Sequence, residues 1–224
     1  LSIAGTDPSG GAGTAADIKS ITAAGGYAMA VVTSLVAQNT QGVRAIHTPP
    51  INFLAQQLAA LSDDVTIDAV KTGMLGTVEI VDAVAAFLDE HRPPVVVVDP
   101  VMVATSGDRL LAPDAEAAVR EFCRRATVIT PNIPELAVLC QSDPAMTPKQ
   151  AVEQARRWAS ETGVAVVVKT GHLDSQRVDN VWVTPEGTMY TAPAARVETT
   201  NTHGTGCSLS SALATRLGAG IAPA

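Results

Sequence analysis

The sequence has 224 residues, 46% hydrophobic and 17% charged. That is enough apolar material for one large domain and too much for a disordered or fibrous chain. A net charge of −7 with no basic run argues against a nucleic-acid partner, but not against a pocket for one small phosphorylated ligand. The three cysteines, Cys123, Cys140 and Cys207, fit no zinc spacing and suit a reducing, cytoplasmic location. No apolar run reaches bilayer length, so no membrane partner is expected.

In chain order, Leu1–Gly5 reads as a strand and Ala12–Ala24 as a helix after a Gly-rich turn. Ala28–Ala37 reads as one long buried strand, with Val43–His47 as an outer one. Phe53–Leu61 is helical, with Phe53, Leu54, Leu58 and Leu61 placed on one face. Thr66–Lys71 is a strand, Val78–Leu88 a helix, and the valines of Val95–Asp99 the clearest buried strand. Asp114–Cys123 is a helix with Pro113 near its start. Thr127–Thr130 is a strand, Pro134–Cys140 and Pro148–Ser160 are helices, and Val164–Lys169 is a strand. Val181–Val183 and Thr188–Thr191 flank Glu186-Gly187 as a hairpin, and Cys207–Leu217 is a last helix. The β-α alternation predicts an α/β fold, a mostly parallel sheet with helices on both faces. Ligands then bind outside the carboxyl ends of the strands.

Polar and small residues collect just after strands, in Gly5–Gly13, Ala37–Gly42, Lys71–Met74, Asp99–Met102, Thr130–Glu135, Lys169–His172 and Asn201–Cys207. In the last segment, glycines bracket Thr205 and a helix begins. The amides of Gly204, Thr205, Gly206 and Cys207 would form an anion site at a helix N-terminus. A cysteine there is expected to have a lowered pKa and to serve as base or nucleophile. An ordinary turn with a buried cysteine fits equally. The first loop matches GxGxxA from Gly11 to Ala16, but the next strand ends in Gln38-Asn39 rather than in the acid that a dinucleotide site needs. It reads better as backbone close to a small substrate, with Asp7 available to its polar groups, or as a plain turn.

Asp99 ends an all-valine strand, where a carboxylate is costly unless it meets a cation or caps a helix. Asn132 and Glu135 have the spacing to orient Mg²⁺ or its waters, and equally that of a capping box. Lys169 reads as a phosphate neutraliser or as a snorkelling surface lysine. Gln38 offers a donor and an acceptor side by side for an aminopyrimidine, although a loop glutamine bonding backbone is commoner. Met74 and Val101 suit the faces of a flat ring or the core. His203 lies in the anion loop and helps shape it. Thr105-Ser106-Gly107-Asp108 has the composition of a closing segment.

The segments AGTDPSGGAG, LVAQNTQGV, KTGML, DPVM with SGD, TPNIPE, KTGHL and NTHGTGC occur in one order across nearly the whole chain. On them the chain resembles the hydroxymethylpyrimidine/phosphomethylpyrimidine kinases of thiamine biosynthesis, within the ribokinase-like superfamily. The resemblance implies one ribokinase-like domain over 1–224, a three-layer α/β/α sandwich. It also implies phosphorylation of 4-amino-5-hydroxymethyl-2-methylpyrimidine, then of its monophosphate, with ATP and Mg²⁺. It implies Gln38 on the aminopyrimidine, with Gly5, Ala12, Met74 and Val101 around the ring. Asp99, Asn132 and Glu135 would lie near Mg²⁺ and phosphates, Lys169 and Thr205 on the nucleotide, and Cys207 as base. A homodimer is a further expectation. Thr170 departs from the glycine common in relatives. The family continues through further helices beyond the anion-loop helix, and the extreme N-terminus is expected to be missing as well. Pyridoxal or pyridoxine kinase activity, a nucleotide-dependent oxidoreductase and a non-catalytic pyrimidine-binding protein are the alternatives.

Overall fold

The computed structural model describes residues 1–103, 110–173, 178–199 and 201–222. Among them the chain runs β1 (Ser2–Ala4), α1 (Gly13–Ala23), β2 (Ala30–Val32), β3 (Leu35–Asn39), β4 (Gly42–His47), α2 (Ile51–Ser62), β5 (Ala69–Thr72) and α3 (Val78–His91). It continues through β6 (Val95–Val98), α4 (Glu116–Phe122), β7 (Val128–Ile129), α5 (Ile133–Cys140), α6 (Pro148–Thr162), β8 (Ala165–Lys169), β9 (Asn180–Val183), β10 (Met189–Ala192) and α7 (Thr205–Gly218). The segment Thr105-Ser106-Gly107-Asp108, with its closing-element composition, lies outside the described residues.

Eight strands form one sheet in the order β10-β9-β8-β7-β6-β5-β1-β2. From β8 to β2 every pairing is parallel; β9 and β10 add antiparallel pairings at one edge. The strands' period of two assigns their side chains to two layers. Val96 and Val98 join the core that holds Leu54, Val84, Phe122, Leu136 and Trp158, from helices α2 to α6. Val97 points the other way, with Val128, Val167 and Ala214 of α7, and α1 packs beside α7. The result is a three-layer α/β/α sandwich, buried on both faces as a Val-rich parallel sheet must be.

The long strand expected over Ala28–Ala37 is broken. β2 stays in the main sheet, while β3 leaves it and pairs with β4 as a separate antiparallel ribbon. The break falls at Thr33-Ser34. The Thr33 amide bonds to the Ala4 carbonyl, its hydroxyl donates to the Met74 carbonyl at 2.7 Å, and the Val36 amide turns to the Thr6 hydroxyl. In α2, Leu54 and Leu58 are buried but Phe53 is exposed, because one residue turns the helix by about 100°. The helix expected over Asp114–Cys123 is α only over Glu116–Phe122, with single 3₁₀ turns at both ends. The hairpin at Glu186-Gly187 forms as expected, with Gly187 at φ 85°.

Because β1, β5, β6, β7 and β8 are parallel, the loops that follow them open on one edge. Two of the seven polar segments reach the site differently. Ala37–Gly42 is the tip of the β3–β4 ribbon, and Asn201–Cys207 leads into α7.

Candidate active site

Two glycine-rich loops are pressed together at the carboxyl edge. Gly204, at φ 76°, caps α7 without a side-chain cap, and a Cβ there would fall on the Gly11 carbonyl oxygen. Gly13, at φ 55°, is held in the same way against the Gly5 carbonyl. A side chain at Gly204 would part the two loops, and one at Gly13 would open the first loop on itself. Asp7 ties the arrangement together. Its carboxylate accepts from the Ser9 amide (2.9 Å) and hydroxyl (2.8 Å), the Gly11 amide (3.2 Å) and the Ala12 amide (2.8 Å), and it meets His203 Nε2 at 2.7 Å. Burial alone would raise this carboxyl, but His203, Ser9 and the amides hold it below its ordinary value. The expectation that Asp7 faces the substrate's polar groups is not met. Its side chain has no exposure and serves as the knot of its own loop and the seat of His203.

Beside the α7 terminus lies a buried ion pair. Asp99 is 2% exposed. Its Oδ1 accepts from Lys169 Nζ at 3.0 Å and from the Thr130 hydroxyl at 3.0 Å, and Ser210 reaches Oδ2 at 3.4 Å. A Cβ on Gly206 would stand 3.2 Å from Lys169 Nζ and 3.4 Å from Asp99 Oδ2, so the glycine lets both charges approach the anion loop. Burial works against both ionised groups, and each is held charged chiefly by the other. Asn132 and Glu135 form the capping box of α5, with 2.9 Å and 2.8 Å bonds. Burial, then the charge of Asp99, pushes the Glu135 carboxyl up to about 7. Two carboxylates that burden one another suit a hard dication. Among the described residues, however, no three acids, histidines or cysteines converge to hold one. The fit is therefore to a cation carried mainly by phosphates and water.

Cys207 contradicts the expectation of a lowered pKa. Its thiol is pushed up by burial, against the pull of Lys71, and the charges of Asp99 and Asp17 raise it further; the Gly13 amide opposes them weakly. Burial first, and then two nearby acids, outweigh what the helix terminus and Lys71 offer. Thr205 is exposed at the first turn, its hydroxyl bonded to the Thr202 carbonyl at 3.0 Å. Sequence reasoning misses Lys71 and Asp17, yet they form a fully buried pair bonded to α7 through Ser211, one turn from Cys207. Lys71, like Asp99, is a charge at the end of an apolar strand.

Gln38 lies at the ribbon's bulge, its Nε2 3.4 Å from the Thr6 carbonyl. Gln38 and the anion loop are thus joined through adjacent residues, Thr6 and Asp7. Met74 packs on Gly5, where a Cβ would meet its sulfur at 3.2 Å. Ala12, just before α1, and Val101, in the loop after β6, are both half-buried. A largely apolar cavity of about 620 Å³ lies between α1 and the ribbon, lined by Thr6, Asp7, Ile18, Leu35 and Ile46 among others. Neither Gln38 nor Cys207 lines it, so it is not the hollow that those residues would share.

A three-layer sandwich that brings a glycine-bracketed helix terminus and a lysine to the strand ends of a mostly parallel sheet defines an α/β protein with its polar loops gathered at that edge. A family model described as phosphomethylpyrimidine kinase matches residues 7–224, and the chain belongs to that family. It is 58% identical over 220 residues to the thiamine biosynthesis multifunctional protein ThiED of Corynebacterium efficiens, covering 98% of this chain and 30% of that protein. The chain thus spans less than a third of that relative's length. It is 47% identical over 216 residues to the hydroxymethylpyrimidine/phosphomethylpyrimidine kinase of Escherichia coli, covering 96% of this chain and 80% of that one. Among solved structures, an ADP complex of Bacillus subtilis pyridoxal kinase matches with TM-score 0.89 and 34% identity, over 98% and 84% of the two chains. The phosphomethylpyrimidine kinase of Clostridium difficile matches with TM-score 0.82 and 34% identity, over 98% and 90%.

Proposed function

We propose that the chain transfers the γ-phosphoryl group of ATP to the CH₂OH of 4-amino-5-hydroxymethyl-2-methylpyrimidine, and then phosphorylates the monophosphate to the diphosphate. The observation that carries this reading is the Gly204–Cys207 terminus pinned against Gly11, with Lys169 and Asp99 at Gly206. Family membership supports the same reaction. The alcohol oxygen attacks the γ-phosphorus, the bond to the ADP oxygen breaks, and the alcohol proton passes to the Cys207 sulfur in its thiolate form. The amides of α7 and the Lys169 ammonium hold the charge of the transferring group, and such positioning supplies most of the catalysis in phosphoryl transfer. Mg²⁺ would be held near Asp99 and Glu135 and neutralise phosphate charge when bound. Gln38 pairs with the aminopyrimidine edge, while Gly5, Ala12, Met74 and Val101 close around the ring. Asn132 and Thr205 stand on the nucleotide side.

The raised thiol has a consequence. Only a small fraction of Cys207 is thiolate at neutral pH, so turnover should climb with pH through the neutral range. Cys207→Ala should cost about 10²–10⁴-fold in kcat. Retention of wild-type turnover at saturating ATP would remove Cys207 from the role of base. The function itself is tested by ATP turnover on the pyrimidine alcohol, with mono- and diphosphate resolved, beside pyridoxine and pyridoxal. The Bacillus pyridoxal kinase likeness makes pyridoxal the specific rival. Faster turnover on pyridoxal than on the pyrimidine would transfer the assignment to that substrate. No ADP release with either would leave a binding protein.

A further inference from the structure

Four buried polar groups beneath the anion loop have no part in the chemistry above: Asp17 of α1, Lys71 of β5, Ser2 of β1 and Ser211 of α7. Lys71 Nζ lies 2.8 and 2.9 Å from the two oxygens of Asp17, and neither side chain has any exposure. Asp17 also accepts from Ser2 at 2.6 Å and from Ser211 at 2.7 Å. A sealed ion pair is often no more stabilising than apolar residues of the same volume, so stability alone accounts poorly for it.

The placement is more telling. Gly13 and Asp17 lie one turn apart on α1, and Cys207 and Ser211 lie one turn apart on α7. The Ser211 hydroxyl, one turn from Cys207 on the same helix, donates to Asp17 at 2.7 Å. The two packed helices are therefore joined at Ser211, which sets the Asp17–Lys71 pair one turn along α7 from the Cys207 sulfur. Gly73 leaves just enough room for the lysine head, since a Cβ there would stand 3.0 Å from Nζ. The charged groups around Cys207 are Lys71 from β5, Asp17 from α1, Asp99 after β6 and Lys169 from β8.

We propose that the Asp17–Lys71 pair is a positioning device for Cys207: Lys71 supplies the positive charge against which the sulfur carries its negative one, and Asp17, anchored to α7 through Ser211, holds that charge in place. The inference rests on Cys207 as proton acceptor, so its test reads the thiol directly. The rate of Cys207 alkylation by iodoacetamide is followed from pH 6 to 10 by peptide mass, which separates Cys207 from Cys123 and Cys140. In Asp17→Asn, a negative charge near the thiol is lost while Lys71 stays buried where it is, and the alkylation midpoint should fall by about one pH unit. In the double variant Asp17→Asn with Lys71→Met, the midpoint should rise by a smaller amount, because the lysine's pull outweighs the aspartate's push. A purely structural pair would lower thermal stability in both without moving the midpoint in opposite directions. An unchanged or raised midpoint in Asp17→Asn, or an unchanged one in the double variant, overturns the proposal. Should Asp17→Asn fail to fold, the charge-neutral double variant still decides it. Shifted midpoints with unaltered turnover would uphold the pair's action on the thiol and refute Cys207 as the base.

Discussion

Gly204→Ala tests the anion loop at the point where geometry is least forgiving. The backbone there has φ 76°, and a left-handed conformation costs a non-glycine residue roughly 1–2 kcal/mol. The added Cβ would also fall on the Gly11 carbonyl and lie 3.1 Å from the Ala12 Cα. Both obstacles are backbone, so no side chain can rotate away; the two loops must part by on the order of 1 Å, a misplacement that can cost about 10²-fold in rate. Gly163→Ala separates the two effects. Gly163 has φ 73° and nothing within 4 Å of its Cβ position, so this variant carries the strain without the collision. Both variants should lose a few degrees of Tm, at about 2–4 °C per kcal/mol for a chain of this size. Only Gly204→Ala should lose about two orders of magnitude in ADP release with the pyrimidine alcohol at saturating ATP. If folded Gly204→Ala matches Gly163→Ala in turnover, the contact between the two glycine loops does not set the catalytic geometry.

Glu135→Gln should change how stability depends on pH. Burial and Asp99 raise the native carboxyl from 4.5 to about 7, so the native state binds the proton more tightly than the unfolded chain does. The stability this group contributes is complete below pH 4.5 and is lost as pH rises to about 7, on the order of 3 kcal/mol. Urea unfolding at pH 5 and pH 8 should therefore show Glu135→Gln gaining on the wild type at the higher pH, and a constant difference would contradict the burial argument. Gln38→Leu should raise KM for the pyrimidine roughly tenfold, about one hydrogen bond's worth, with KM for ATP unchanged. A change confined to ATP would place Gln38 on the nucleotide instead.

Local pattern was enough wherever local physics decided the outcome. Four consecutive valines can only serve two buried faces, and Val96 and Val97 duly enter different layers. The Asn132–Glu135 spacing allows a capping box, and one forms. Thr33-Ser34 misleads because β-branched and small polar residues suit a strand; its end is set by the Met74 carbonyl and the Thr6 hydroxyl, neither of them near in sequence. Cys207 misleads for the same reason. The rule for a helix terminus is local, whereas the burial that overrules it comes from packing, and the acids that add to it come from the end of β6 and from α1.

The pairs that organise the site are all long-range: Asp7 with His203, Asp17 with Lys71, and Asp99 with Lys169. Parallel strands bring their carboxyl ends to one edge, so a charged residue ending an apolar strand is marked for the site by its position in the sequence alone. Which acid meets which base depends on strand order and on which helix crosses which strand end. Lys169 on β8 reaches Asp99 past the two-residue strand β7, and Lys71 on β5 reaches α1 rather than its strand neighbour. Strand order has no local signature, so the motifs disclose the members of the site while the fold alone determines their partners. That division explains why the Asp17–Lys71 pair escapes a reading of the sequence: Lys71 is marked by its strand end, but Asp17 looks like an ordinary helix-surface charge until the sheet and α1 seal the two together.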